Sequence, residues 1–142
     1  MLWFNFFKGN KDAKSLATKS HLDNLIQIAK IDGYYDEVEK DYLLKVAQSY
    51  NIPARNIEEV EKYSHKVSMA EPENKEMIYR QLYELVGMML ADGVVHNQEI
   101  ELCARFAEEM GVAQSNGMTF ISNLVKEIEK GASPEDIAKL LG

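Results

Sequence analysis

Cysteine is nearly missing from this chain: Cys103 stands alone, so no internal disulfide can form and packing has to hold the fold together. There is also no apolar run near the ~18 residues a membrane span needs. The start lacks the basic stretch followed by an apolar one that marks a secretory signal, so the chain reads as cytoplasmic. Positive charge is in deficit: a net charge of −7 and a pI near 5.0 oppose general nucleic-acid binding, because a duplex backbone selects a basic face. No sustained period-two alternation and no hairpin dipeptide between β-branched runs is present, which excludes a sheet protein. A P-loop, a dinucleotide glycine fingerprint and a Gly-x-Ser-x-Gly elbow are missing too. His21, His65 and His96 fall in no CxxC, HExxH or paired-histidine spacing, so zinc is disfavoured. No general acid or base stands beside a nucleophile, and the chain reads as non-enzymatic.

What is present is helix after helix. Leu22, Leu25, Ile26 and Ala29 recur at i, i+3, i+4 and i+7, and Leu82, Leu85, Val86 and Met89 repeat the pattern. Val38, Tyr42, Val46, Ala47 and Tyr50 keep helical spacing until "NIP", where Pro53 disfavours helix in the preceding residue. Ile100, Cys103, Ala104, Ala107 and Met110 do the same until Gly111, a natural C-terminal cap. Ile57 and Val60 mark a third helix, and Ile121, Leu124, Val125 and Ile128 mark its counterpart before Gly131. The tail "SPEDIAKLLG" offers Ser133 as N-cap, Pro134 as first helical residue, and Ile137, Leu140 and Leu141 as an apolar stripe. The expected fold is all-α, a compact bundle of about seven helices, and 142 residues suffice for one core.

Charge divides the chain into a basic leader and an acidic body. Lys8, Lys11, Lys14 and Lys19 against Asp12 give residues 1–19 a local +3, leaving −10 on the remainder. The leader opens "MLWFNFFKGNKDAK", with Leu2, Trp3, Phe4, Phe6 and Phe7 crowded before the lysines. Two readings stand: the aromatics fold back onto the domain or into a neighbouring copy, as in a homo-oligomer, or residues 1–14 make weak contact with a membrane surface. The domain proper is expected over 20–142.

Two short stretches carry the remaining information. "IDGYYDEVE" at 31–39 and "ADGVVHNQE" at 91–99 each hold Asp-Gly followed at fixed distance by Glu. A gapless offset of sixty residues pairs Asp32 with Asp92, Gly33 with Gly93, Glu39 with Glu99, Ala47 with Ala107, Leu22 with Leu82 and Leu25 with Leu85. The halves therefore read as a duplication, repeat one over about 20–67 and repeat two over about 72–130, with a C-terminal helix over 133–141. The joint falls in the polar "SHKVSMAEPENKE", where Pro72 suits the first turn of the next helix.

Doubled helix pairs bent at "DG" with a following Glu ("DGYYDEVE" and "DGVVHNQE"), in an acidic helical domain of this size, resemble the tellurite-resistance TerB-like family over about residues 20–140. That resemblance implies a compact helical domain without established catalysis and a metal site at the acidic loop residues. It also implies a place in bacterial stress responses, beside co-chaperone or membrane-associated partners at the inner-membrane periphery. The aromatic leader lies outside the pattern.

Chemistry alone reads the loops as truncated calcium loops. Asp32, Gly33, Tyr34, Asp36 and Glu39 fall on positions 5, 6, 7, 9 and 12 of a twelve-residue calcium site. Positions 1 and 3 are Ile28 and Lys30 in the first loop, Met88 and Leu90 in the second, and none can ligate as a carboxylate. A true EF-hand is rejected, and His96 in place of Asp36 weakens the second loop further. Two alternatives remain. Asp32, Glu39, Asp92 and Glu99, with Asp36, hold a hard divalent cation, calcium or magnesium before zinc; or Asp36 and Glu39 are an acidic capping arrangement, the glycines supply positive φ, and an unidentified protein partner meets a metal-free acidic face. Cys103, at the place equivalent to Leu43, reads as a buried, inert thiol.

Overall fold

The computed structural model describes residues 13–141 except 32, 34, 64–69 and 73. Over these the chain is all-α: α1 Ala13–Lys30, α2 Glu37–Ser49, a 3-10 turn Ala54–Asn56, α3 Ile57–Tyr63, α4 Lys75–Leu90, α5 Asn97–Glu109, α6 Gly117–Glu129 and α7 Pro134–Leu141. None of these helices is long and apolar enough to cross a membrane. They form two units, Met1–Glu73 and Asn74–Gly142. The aromatic cluster of the leader lies outside the described residues, and α1 begins at Ala13, within the stretch read as leader.

In the first unit α1 packs against α2 and α3. Its expected stripe of Leu22, Leu25, Ile26 and Ala29 is completely buried. Burial extends to the polar Ser20, His21, Asp23 and Asn24, which lie outside that stripe. Polar groups survive such burial when they are hydrogen-bonded or paired. The Ser20 hydroxyl oxygen accepts the Ala70 N–H at 3.1 Å, Asp23 pairs with Lys19 at 2.9 Å, and the His21 ring meets Tyr50 edge-on at 5.6 Å between centroids.

Along α2 the buried residues are Glu39, Leu43, Val46 and Ala47. Val38, assigned to the apolar stripe, is instead 53% exposed, because the Glu39 side chain turns inward beside it to meet the start of the helix. The helix ends at Ser49, with Tyr50 between it and "NIP", by a left-handed turn: Asn51 has φ +62° and the Ile52 N–H reaches back to the Ala47 carbonyl at 2.9 Å.

The second unit is built on α4, which packs against α5, α6 and α7. Leu82, Leu85, Val86 and Met89 are completely buried as the spacing requires. Pro72, expected in the first turn, lies before it; Asn74 is the cap, its side chain accepting the Met77 N–H at 2.9 Å. In α5, Cys103, Ala104, Phe106 and Ala107 are buried. The helix closes as α2 does, with Gly111 at φ +78° and the Val112 N–H on the Ala107 carbonyl at 2.9 Å. Ser133 and Asp136 cap α7 reciprocally at 3.0 and 3.1 Å, and the Ser133 N–H and hydroxyl hold the Asp136 carboxyl below the usual carboxylate range. Ile137 is buried, whereas Leu140, read as stripe, is 63% exposed.

Gly117 sets how closely α5 and α6 approach. Its N–H donates to the Glu108 carboxylate at 2.9 Å, and a Cβ there would lie 2.9 Å from both the carbonyl oxygen and the Cβ of Ala104. Gly117→Ala is therefore expected to lower unfolding stability by about 1–3 kcal/mol, read by chemical denaturation, because backbone must shift to admit the methyl group. An unchanged midpoint would show that the contact relaxes freely.

Candidate functional site at the Asp-Gly bends

The first bend starts where α1 stops. The Gly33 N–H donates to the Lys30 carbonyl at 3.0 Å, and Gly33 holds φ +83°, a conformation L side chains rarely adopt. Asp36 follows in extended backbone as the cap of α2. Its carboxylate accepts the Glu39 N–H at 2.9 Å while the Glu39 carboxylate accepts the Asp36 N–H at 3.2 Å, a complete capping box. Glu39 is 2% exposed. Tyr35 ties the bend to α3: its hydroxyl donates to Glu61 at 3.0 Å, and Lys40 lies 5.4 Å from its ring centroid. Lys30 adds a donor to the Glu61 carbonyl at 3.4 Å. Burial first, then the Glu61 charge, pushes the Tyr35 hydroxyl well above its ordinary pKa, so Tyr35 is a proton-bearing strut.

The second bend repeats the local construction. Gly93 has φ +80° and donates its N–H to the Leu90 carbonyl at 3.0 Å. The Asp92 carboxylate accepts the Val94 N–H at 2.9 Å, closing an Asx turn. At the start of α5 the Glu99 carboxylate accepts the His96 N–H at 2.9 Å, and the Glu99 N–H donates to the His96 carbonyl at 3.0 Å. Glu99 is 4% exposed. One helical turn further, Cys103 is completely buried, and burial followed by the Glu99 charge pushes its thiol far up.

Of the five acidic residues singled out from the sequence, Asp32 lies outside the described residues. Asp36 and Glu39 meet at the start of α2 in one unit; Asp92 and Glu99 belong to the bend between α4 and α5 in the other. Each of these four accepts a backbone N–H inside its own bend. The calcium-loop positions without ligands, Ile28, Lys30, Met88 and Leu90, all stand within α1 or α4, where the helix runs on. Sequence reasoning missed the Tyr35–Glu61 strut, for which spacing gives no signal across 26 residues. It also missed the Asp92 turn, which the Asp-Gly dipeptide does signal. Comparison with protein-family models, curated proteins and solved structures finds no match.

Two outcomes test this geometry. Asp36→Ala removes one half of the capping box and is expected to cost about 0.5–2 kcal/mol of stability in chelator. If calcium makes the loss larger, the carboxylate is doing more than capping. For Cys103, the raised pKa keeps the thiol neutral through the range where an exposed one ionises. Alkylation of the native protein should stay slow as pH rises through ~8.5 and become fast on unfolding.

Proposed function

We propose that the chain is a non-enzymatic accessory domain of the tellurite-resistance TerB-like kind, made of two duplicated helix–bend–helix halves, which binds a hard divalent cation weakly at Asp32, Asp36, Glu39, Asp92 and Glu99. One observation carries this reading: at a strict offset of sixty residues each half holds a positive-φ glycine followed by a buried glutamate, Gly33 with Glu39 and Gly93 with Glu99. A buried carboxylate is costly, and keeping two in equivalent places favours a role beyond solubility. Oxygen donors without a paired imidazole, the nearby Cys103 thiol being buried and held neutral, favour calcium or magnesium over zinc. The sealed, neutral Cys103 supports a domain without nucleophilic chemistry. Its setting is a bacterial stress response, with a membrane-associated or co-chaperone protein as partner.

The hydrogen bonds inside each bend favour a second reading, a metal-free interaction module whose Asp-Gly pairs are corners. Calorimetric titration of chelator-treated protein with calcium, magnesium, manganese and zinc separates the two. The metal reading expects saturable binding with a dissociation constant of about 10⁻⁴ to 10⁻³ M, thermal stabilisation, and loss of both in the double variant Asp32→Asn, Asp92→Asn. Smooth ionic-strength effects alone, without heat of binding at millimolar cation, leave the interaction module standing.

A further inference from the structure

The chain holds one Asn-Gly pair, Asn116–Gly117, and it falls at the start of α6. Asparagine before glycine is open to self-modification, because no Cβ on the second residue shields its backbone nitrogen. That nitrogen, once stripped of its proton, attacks the asparagine Cγ; the side-chain amide leaves as ammonia and a five-membered succinimide closes. Water then opens the ring at either carbonyl, giving aspartate, or isoaspartate with the main chain rerouted through Cβ and Cγ.

The fold withholds both requirements of the first step. Ring closure needs the Gly117 nitrogen eclipsed with the Asn116 Cβ, but Asn116 stands at φ −119° and ψ +40°, which puts the two nearly anti about the Cα–C bond. The Gly117 N–H donates to the Glu108 carboxylate at 2.9 Å, and a negative charge there opposes the amide anion that must form. Rotating Asn116 into the reactive conformation would swing Gly117, which is buried and has no room for even a Cβ against Ala104. The reacting side chain itself is unrestrained by the helix: Asn116 is exposed and makes no cap bond to α6. What holds the reaction back is the docking of α6 on α5. Once converted, the two products differ in whether that docking can reform. Aspartate at 116 is compatible with it, being a favoured residue before a helix. Isoaspartate adds a carbon to the main chain where the backbone already lies closer to Ala104 than a methyl group tolerates. We infer that Asn116–Gly117 is a one-way self-modification switch: closed while α6 lies on α5, it reacts when that contact opens, and a chain converted to isoaspartate does not close again. The switch is independent of any cation at the bends.

Peptide mapping by mass spectrometry of the full chain, aged at neutral pH, tests it. Conversion of the 116 amide to acid is expected to be at least ~10-fold slower in the native protein than in urea-unfolded protein, since it waits on local opening. Glu108→Ala, which removes the acceptor of the Gly117 N–H, should speed native conversion several-fold and leave the unfolded rate unchanged. Asn116→Asp should melt like the wild type, whereas the isoaspartyl chain, separated by chromatography, should melt lower and exchange its α6 amide hydrogens faster. A native rate equal to or above the unfolded one overturns the proposal, because Glu108 would then be serving as a base. So does a native rate that Glu108→Ala leaves unchanged, or an isoaspartyl chain that melts like the wild type.

Discussion

The first turn of a helix exposes backbone N–H groups that no carbonyl within the helix can take, and a bend buried against a core has little water to offer them. In this chain that constraint is met at both Asp-Gly bends by an inward-turned glutamate. Glu39 and Glu99 occupy places where an apolar residue would pack, yet each is turned back onto the N–H of the residue immediately before its helix. Once that bond is made, the direction of the second helix is set. Leu43, Val46 and Ala47 then face inward in α2, and Cys103, Phe106 and Ala107 in α5. The exposure of Val38 is a by-product of the same choice.

The chemical character of the bends follows from it. A carboxylate near a sealed thiol raises the cost of ionising that thiol, and this is how Glu99 bears on Cys103. In the first unit Glu61 acts in the same sense on Tyr35, which keeps its proton and serves as a donor. Both groups are held in their neutral forms, so the environment opposes nucleophilic use while leaving carboxylate oxygens as the most polar atoms available. The two bends differ in composition: Asp36 is the acidic cap of the first, whereas His96 stands at that place in the second and Asp92 closes a further turn onto the Val94 N–H.

Much of the fold was legible because its signals are local. The stripes at 22, 25, 26 and 29 and at 82, 85, 86 and 89 predict helices and their inner faces, and the structure buries all eight residues completely. Ser133 and Pro134 predict the start of α7, since capping needs only neighbours in sequence. Gly111 and Gly131 stop α5 and α6 for a similar reason, a left-handed residue being cheapest as glycine. Where several residues compete for one role, locality was insufficient: Pro72 suited a first turn, but the Asn74 side chain fixed the start of α4 two residues later.

The sequence by itself determined the class, the helices, the sixty-residue register of glycines and glutamates, and the acidic character of the body, because periodicity, capping and charge are properties of neighbouring residues. Tertiary structure decided which polar residues go inside. Ser20, Asp23 and Asn24 look solvent-facing on a helical wheel, and only packing of α1 against other elements buries them. Leu140 looks like core and stands outside, since of the stripe on α7 only Ile137 is buried against its unit. The Tyr35–Glu61 bond and the close approach at Gly117 join residues on different elements, and no spacing rule within one helix reports on the distance between two.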